Sequence, residues 1–268
     1  MALEEIVKRK ICEIEERKKE FPLERLVGEL EKRVPVKRNF LGALLNSISN
    51  KKPGVIAEIK FASPSRGVIR KDLSPEDVAE IYERSPFVDC ISVLTEKYYF
   101  NGDISFIRRV KEKSSKPVLR KDFIVDVYQV YESAYYEADC ILLIASCLSK
   151  KELESLWRTA RTLDLDVLVE VYEESDLEKV EKLDVEIIGV NSRNLRTLEV
   201  SFTKFSELFP KLPAGFKVMV AESGMKSKSD ITNAIAIGFN AFLIGESFMS
   251  SNNIGEKIRE MVEGVRLP

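Results

Sequence analysis

A glutamate and a lysine stand two residues apart at the end of an apolar run early in the sequence. The run Val55-Ile-Ala-Glu-Ile-Lys60 is typical of a β-strand, and residues two apart on a strand lie on the same face. Burying a carboxylate and an ammonium costs several kcal/mol per ion unless they pair or hold a ligand. Glu58 and Lys60 are therefore candidates for acid–base or anion-binding chemistry, with a structural salt bridge as the alternative.

Other polar side chains follow apolar runs in the same way. Glu170 lies within Val-Leu-Val-Glu-Val and Glu222 within Val-Met-Val-Ala-Glu, so both alternate with apolar residues and should face the interior. Further polar or functional positions at such ends are Ser63, Arg120, Lys121, Asp122, Phe123, Asn191, Ser192, Arg193, Ser223, Gly224, Gly245, Glu246 and Ser247. Each alone has an ordinary explanation; Arg120 and Asp122, for example, could form a surface pair. Their joint placement favours one shared site.

The elements that must position these residues are apolar runs of strand length alternating with amphipathic helical patterns. The predicted strands are Val55–Lys60, Cys90–Thr95, Pro117–Asp122, Cys140–Ala145, Val167–Val171, Ile187–Asn191, Val218–Ser223 and Ala241–Gly245. The predicted helices between and after them are Pro75–Arg84, Ile104–Lys113, Val127–Glu137, Lys150–Leu163, Ser175–Lys182, Thr203–Phe209, Lys228–Ile237 and Ile254–Val265. Eight such units predict an α/β protein, a (β/α)8 TIM barrel.

The residues before the first strand predict an addition to the barrel. Apolar residues three and four apart predict helices over Leu3–Lys19 and Leu23–Arg33, followed by a polar connection with Pro35 and a short helix ending near Ile48. We therefore predict one barrel domain over residues 1–268, with residues 1–50 as an N-terminal helical extension. A doubly wound sheet is the structural alternative, but it would place a glycine-rich turn after the first strand, and none is present.

Two loops of the predicted barrel are suited to phosphate. Glu-Ser-Gly follows the seventh strand and Gly-Glu-Ser the eighth, and in many barrels these loops present backbone N–H groups to a phosphate. Gly224 and Gly245 would let the backbone approach the oxygens, Ser223 could donate its hydroxyl, and Arg193 could add charge. Two ordinary glycine turns are the alternative.

Composition excludes several classes of function. With 42 basic and 44 acidic residues the formal charge is −2 and no long basic block stands out, which argues against nucleic acid. The apolar runs fall short of the roughly 20 residues of a membrane span, and the N-terminal residues do not resemble a secretory signal, so we expect a cytoplasmic protein. There is no histidine, so acid–base work falls to Glu, Asp, Lys, Tyr or Cys.

Six segments resemble the indole-3-glycerol-phosphate synthase family of tryptophan biosynthesis. They are Ile56–Gly67 (Ile-Ala-Glu-Ile-Lys-Phe-Ala-Ser-Pro-Ser-Arg-Gly), Leu94–Gly102, Pro117–Phe123 (Pro-Val-Leu-Arg-Lys-Asp-Phe), Gly189–Leu198, Ala221–Gly224 and Leu243–Ser247. The resemblance implies a carboxy-lyase that converts 1-(2-carboxyphenylamino)-1-deoxyribulose 5-phosphate to indole-3-glycerol phosphate, carbon dioxide and water. It implies no metal and no organic cofactor. The expected partner is therefore a small phosphorylated substrate, without nucleic acid or membrane, and the expected assembly is a monomer or weak homodimer.

The resemblance also implies residue roles. Lys121 would be the general acid at the substrate's carbonyl oxygen, Glu170 would assist the later dehydration, and Lys60 would hold the substrate carboxylate. Glu58 and Asn191 would orient hydroxyls and the reacting ring, with Glu222 in the polar network around the sugar chain. The implied substrate-binding residues are Ser63, Phe100, Phe123, Leu142, Arg193, Ser223, Gly224, Gly245 and Glu246.

The residue types add three expectations about the geometry and charge of the site. Phe100 and Phe123 would sandwich the anthranilate ring. Because a lysine with a pKa of about 10.4 is a poor acid at neutral pH, partial burial or a neighbouring cation should lower the pKa of Lys121. Glu246 stands where relatives often have a small hydroxyl residue, so we expect its carboxylate to turn away from the phosphate.

Two other readings of the same residues stay open at this point. A Schiff-base aldolase would use Lys60 or Lys121 as a nucleophile toward a ketose phosphate, and borohydride trapping would reveal its covalent adduct. A phosphate-ligand sensor would keep the barrel without the activity, and the absence of indole formation would reveal it.

Overall fold

Eight parallel strands close into a barrel in the computed structural model, which describes residues 3–32 and 37–268. The strands are β1 Gly54–Ile59, β2 Cys90–Leu94, β3 Val118–Lys121, β4 Cys140–Ile144, β5 Asp166–Val171, β6 Ile187–Asn191, β7 Val218–Glu222 and β8 Ala241–Ile244. Closure is direct, because β1 pairs with both β2 and β8. The predicted (β/α)8 barrel is confirmed, with each strand boundary within one residue of its predicted position.

Helices surround the barrel and several begin where a side chain caps the first turn. Those after β1 are Pro75–Arg84, Lys97–Phe100, Phe106–Lys113, Val127–Tyr135, Lys150–Thr162, Glu174–Val180, Thr203–Leu208, Lys228–Ile237, Glu246–Met249 and Ile254–Val262, with 3-10 turns at Ala145–Cys147 and Phe209–Lys211. Ser74, Asp126, Ser149 and Ser227 each form a capping box. Among the described helices, none is long and apolar enough to span a bilayer.

Besides the 3-10 turns, three short elements are absent from the sequence prediction. The helices Lys97–Phe100 and Glu246–Met249 have four residues each, too few for a helical period to emerge from the sequence. The third is an antiparallel ribbon that pairs Ala62–Ser63 with Gly67–Val68. All three lie in loops that follow strands, so the sequence prediction lacks part of the rim of the barrel.

The N-terminal helices pack on both ends of the barrel. They are α1 Leu3–Glu20, α2 Leu23–Glu31 and α3 Phe40–Ser49. The predicted end of the second helix at Arg33 and the connection at Pro35 lie outside the described residues. From α3, Phe40 and Leu44 are fully buried in the inner core, and the backbone N–H of Leu41 donates to Asp166 at the start of β5. This helix therefore covers the amino-terminal end of the barrel.

A buried ion network holds α1 against the opposite end, where the strands finish. Its members are Lys10, Glu13, Arg17, Arg120, Asp122 and Glu132. Lys10 Nζ lies 3.1 Å from Asp122 Oδ1, and Arg120 Nη2 lies 3.1 Å from Asp122 Oδ2. Burial alone would raise the pKa of Asp122, but Lys10 and Arg120 lower it to about 2. The Arg120–Asp122 pair is therefore buried, and the surface-pair alternative is wrong.

Replacing Lys10 should destabilise the protein because the ammonium is buried with its partners. The Lys10 side chain is 1% exposed and also pairs with Glu13 at 2.9 Å. We expect Lys10→Met to lower the free energy of unfolding by about 3 kcal/mol. In the control Lys18→Met, on the same helix, a partly exposed pair with Asp126 is lost and the loss should stay below about 1 kcal/mol. Equal shifts of the two variants in urea denaturation would contradict a buried anchor.

Candidate active site

A cavity of about 390 Å³ opens at the carboxyl ends of the strands. It is lined by predicted residues from all eight strands or the loops that follow them: Glu58, Lys60, Phe100, Lys121, Phe123, Leu142, Glu170, Asn191, Arg193, Glu222, Ser223, Gly224, Gly245 and Glu246. Among the predicted catalytic and substrate-binding residues, all of which the structure describes, only Ser63 does not line it. Arg120 and Ser192, also predicted at strand ends, do not line it either. The Ser63 side chain is buried nearby, with its Oγ 3.4 Å from Ser65 Oγ. The size lies within the usual range for a small-molecule site.

At the floor of this cavity Lys121 lies between two carboxylates. Its Nζ is 3.2 Å from Glu170 Oε2 and 3.3 Å from Glu222 Oε2. Asn191 Nδ2 donates to Glu170 Oε1 at 2.9 Å, and Asn191 pairs in register with Glu222 on the next strand. The side-chain period of the strands thus brings β3, β5, β6 and β7 to one polar cluster.

The protonation states in this cluster differ from the sequence expectation. Burial alone would lower the pKa of Lys121, but the carboxylates of Glu170, Glu222 and Glu58 outweigh it and raise the pKa. The expected lowering is therefore wrong, because Lys121 has anions rather than a cation as its nearest charges. Burial raises the pKa of Glu222 to about 8; Lys121 opposes this rise and Glu170 adds to it. Lys121 is thus charged at neutral pH and Glu222 mostly neutral.

Glu58 and Lys60 form the second polar group. Lys60 Nζ lies 2.6 Å from Glu58 Oε1, and the Glu58 side chain is almost fully buried. The salt bridge considered as the alternative therefore exists, and it lies inside the cavity rather than away from it. A ligand anion that reaches Lys60 would have to compete with Glu58.

Two glycines make room for these carboxylates. A Cβ at Gly189, opposite Glu170 in the strand register, would collide with Glu222 Oε1. A Cβ at Gly245 would collide with Glu58 Oε1, so this glycine serves the glutamate in addition to any role at a phosphate. Gly189 was not among the predicted site residues; its place in the run Ile-Ile-Gly-Val-Asn is the signal that could have indicated a close approach.

The apolar side of the cavity contains both predicted aromatic residues. The Phe100 and Phe123 ring centroids are 6.4 Å apart and their planes are inclined by 41°. A ring in contact with two parallel faces needs them at least about 7 Å apart, twice the usual contact distance between carbon atoms. The two phenyl rings are closer and tilted, so they form one wall of the cavity here rather than a sandwich. Leu142 lines the same cavity.

The end of the cavity formed by the loops after β6, β7 and β8 carries the features predicted for phosphate. Ser223 and Gly224 have φ angles of 66° and 77°, which turn the chain sharply beyond β7. Arg193 Nη1 lies 3.4 Å from Ser65 Oγ and 3.0 Å from the Leu198 carbonyl oxygen. Cationic and hydroxyl groups therefore meet where an anionic group could bind.

Glu246 does not turn away from this end. Its Oε1 accepts from Arg66 Nε at 2.7 Å, and its Oε2 lies 3.6 Å from Arg193 Nη2. The expectation that the carboxylate points elsewhere is wrong, because two guanidinium groups attract it into the cavity. Burial alone would raise the pKa of Glu246, but the hydrogen bond from Arg66 and the charges of Arg66, Lys60 and Arg193 lower it. Arg66 is a further lining residue that the prediction omitted.

The fold and the cavity define the class: a (β/α)8-barrel protein with lysine and glutamate side chains gathered at the carboxyl ends of its strands. The family model for indole-3-glycerol phosphate synthase matches residues 3–261. The chain therefore belongs to the indole-3-glycerol phosphate synthase family. It is accordingly a decarboxylating carbon–carbon lyase of tryptophan biosynthesis.

Curated relatives agree over nearly the whole length. Indole-3-glycerol phosphate synthase of Polaromonas naphthalenivorans is 45% identical over 240 residues, covering 90% of each chain. That of Campylobacter fetus is 42% identical over 262 residues, covering 97% of this chain and 99% of the relative. Among solved structures, 3-hexulose-6-phosphate synthase from Salmonella typhimurium superposes with a TM-score of 0.62 at 14% identity, covering 78% of this chain and 96% of that one. This last likeness concerns the fold alone.

Proposed function

We propose that Lys121 supplies the proton for indole ring closure on 1-(2-carboxyphenylamino)-1-deoxyribulose 5-phosphate. The observation that carries the proposal is the position of its ammonium at the mouth of the barrel, 3.2 Å from a side-chain oxygen of Glu170 and 3.3 Å from one of Glu222, both of which are buried. Ring closure onto a ketone needs an acid at the ketone oxygen, and Lys121 is held charged and aimed into the cavity where such an oxygen would lie.

The reaction can be followed atom by atom. When the ring carbon that carries the carboxylate bonds to the keto carbon, negative charge develops on the keto oxygen and Lys121 donates a proton to it. Loss of carbon dioxide returns the electron pair of the broken bond to the ring. In the dehydration, the new hydroxyl takes up a proton and leaves as water, while the methylene carbon beside the nitrogen loses a proton and the electron pair of that C–H bond forms the ring double bond. Glu170 assists these proton transfers. Because Lys121 and Glu170 are in hydrogen-bond contact, a proton can pass between them.

The remaining residues would bind and orient the substrate. Glu58 and Asn191 would orient its hydroxyls and ring, and Glu222 would belong to the polar network around the sugar chain. The proposed binding surface consists of Ser63, Phe100, Phe123, Leu142, Arg193, Ser223, Gly224, Gly245 and Glu246. The phosphate would lie at the loops after β7 and β8, as in many barrels.

Adding the anilino-ribulose phosphate to the purified protein tests the proposal. We expect indole absorbance and fluorescence to appear with release of carbon dioxide, without a covalent adduct after borohydride. An adduct on Lys121 would contradict acid catalysis by this residue, and no indole at high protein concentration would contradict the reaction as a whole.

Lys60 would hold the substrate carboxylate, which predicts a binding defect when it is removed. Lys60→Ala should raise KM about tenfold, because a charge-assisted hydrogen bond contributes about 1.5–3 kcal/mol. Steady-state kinetics measures this, with Lys257→Ala, which loses a pair with Glu260 outside the cavity, as control. An unchanged KM would remove Lys60 from this role.

We also propose a cytoplasmic protein whose partner is its phosphorylated substrate rather than nucleic acid or membrane. The balance of 42 basic and 44 acidic residues supports this. A monomer or weak homodimer is proposed for the assembly. Sedimentation velocity at increasing concentration tests it, and a stable higher oligomer would contradict it.

A further inference from the structure

Most cations of the cavity are already paired with a carboxylate. Among the described residues, the cations that line it are Lys60, Arg66, Lys121, Arg193 and Lys226, and the acidic residues are Glu58, Asp122, Glu170, Glu222 and Glu246. Of these acidic residues, Glu222 is mostly neutral at neutral pH because burial raises its pKa to about 8. A phosphorylated carboxylate brings several negative charges into a cavity whose cations mostly have carboxylate partners already. Some cations must therefore be released by their carboxylate partners when it binds.

Glu246 is the carboxylate best placed to release its partners. It stands between Arg66 and Arg193, and both guanidinium groups line the cavity at its phosphate end. The Arg66 side chain is 62% exposed and that of Glu246 is 23% exposed. Ion pairs this close to solvent contribute little to stability. Replacing the Glu246 carboxylate by a ligand anion therefore costs little free energy.

The other carboxylates are held more firmly. Glu58 and Glu170 are almost fully buried beside Lys60 and Lys121, and Asp122 is bound by Lys10, Arg120 and Thr95. Separating a buried carboxylate from its cation is strongly unfavourable. We therefore expect a ligand anion to displace Glu246 from its cations before any of the other carboxylates.

We infer that Glu246 is an internal counter-ion: it pairs with Arg66 and Arg193 in the free protein, and the phosphate of the substrate replaces it when the substrate binds. This inference rests on the phosphate end proposed above. The carboxylate competes with phosphate for the same guanidinium groups. It also links the loop after β1, which carries Arg66, to the loop after β8 while the cavity is empty. Ligands without a dianionic group would not displace it, so Glu246 favours phosphorylated substrates.

Binding of inorganic phosphate at constant ionic strength, measured by calorimetry, tests this exchange. Glu246→Gln keeps the shape of the side chain and removes its charge, and we expect phosphate to bind at least fivefold more tightly. Glu260→Gln removes a carboxylate from an exposed pair elsewhere and should leave the dissociation constant unchanged. Unchanged or weaker binding by Glu246→Gln would overturn the inference.

A double-mutant cycle separates exchange from a general effect of charge. Arg66→Met should weaken phosphate binding less than twofold in the wild-type background, where Arg66 must first leave Glu246. In the Glu246→Gln background it should weaken binding at least fivefold. Equal effects in both backgrounds would overturn the inference while leaving the phosphate end intact. If neither wild type nor Glu246→Gln binds phosphate, the proposed phosphate end itself is wrong.

Discussion

Replacing Lys121 should reduce turnover by at least about 10²-fold while the barrel remains folded. Lys121→Met removes the proton donor proposed for ring closure. Lys121→Arg is the more informative variant, because a guanidinium can keep the ion pairs with Glu170 and Glu222 but does not give up a proton in this pH range. We therefore expect both variants to lose turnover, with Lys121→Arg retaining the greater stability.

Single-turnover measurements of indole formation, with circular dichroism to verify the fold, provide the test. Lys217→Met, which loses an exposed pair with Glu186, is the control and should retain wild-type turnover. Wild-type turnover in Lys121→Arg would show that a fixed positive charge is sufficient and that no proton is transferred from this residue.

The second large effect is a dependence on pH that arises from Glu222. Its pKa of about 8 lies above the usual value of 4.5 because the carboxyl is buried, and Glu170 adds to this rise. Once ionised, Glu222 would bind Lys121 more tightly, raise the pKa of Lys121 further and weaken it as an acid. We therefore expect kcat/KM to fall toward tenfold per pH unit above about pH 8, and Glu222→Gln to lack this fall.

Stability should change with the same group. Because the folded pKa is raised, the native state holds a proton between pH 4.5 and about 8 that the unfolded chain releases. The stabilising contribution is therefore complete below pH 4.5 and is lost as pH rises through about 8, with a slope approaching about 1.4 kcal/mol per unit. Glu222→Gln should flatten this part of the curve, with Glu260→Gln as control. Identical pH curves for wild type and Glu222→Gln would contradict the raised pKa.

The barrel could be predicted because its strands are apolar runs of the right length separated by capped helices. Ser74 before Pro75, for example, indicates a helix start that the structure places at the same residue. The strand-end rule then gathers Lys121, Glu170 and Glu222 in one place without any knowledge of contacts. The spacing of apolar residues along the sequence and the topology of the barrel were sufficient to predict this part of the site.

Pairings across the chain could not be predicted in this way. Arg66 and Glu246 are 180 residues apart, and no local pattern indicates that their loops meet. The direction of the pKa shift at Lys121 could not be predicted for the same reason, because it depends on which charges surround the ammonium and not on burial alone. Lys10 and Asp122 also meet across the chain, which is how α1 comes to lie beside the end of β3.

A crystal structure with indole-3-glycerol phosphate bound tests the central claim most directly. We predict that the phosphate lies against Ser223, Gly224 and Gly245, and that the new indole ring lies beside Phe123 with Lys121 directed at the carbon that carried the ketone. A product bound in the reverse direction, or with its indole beyond reach of the Lys121 ammonium, would contradict the account.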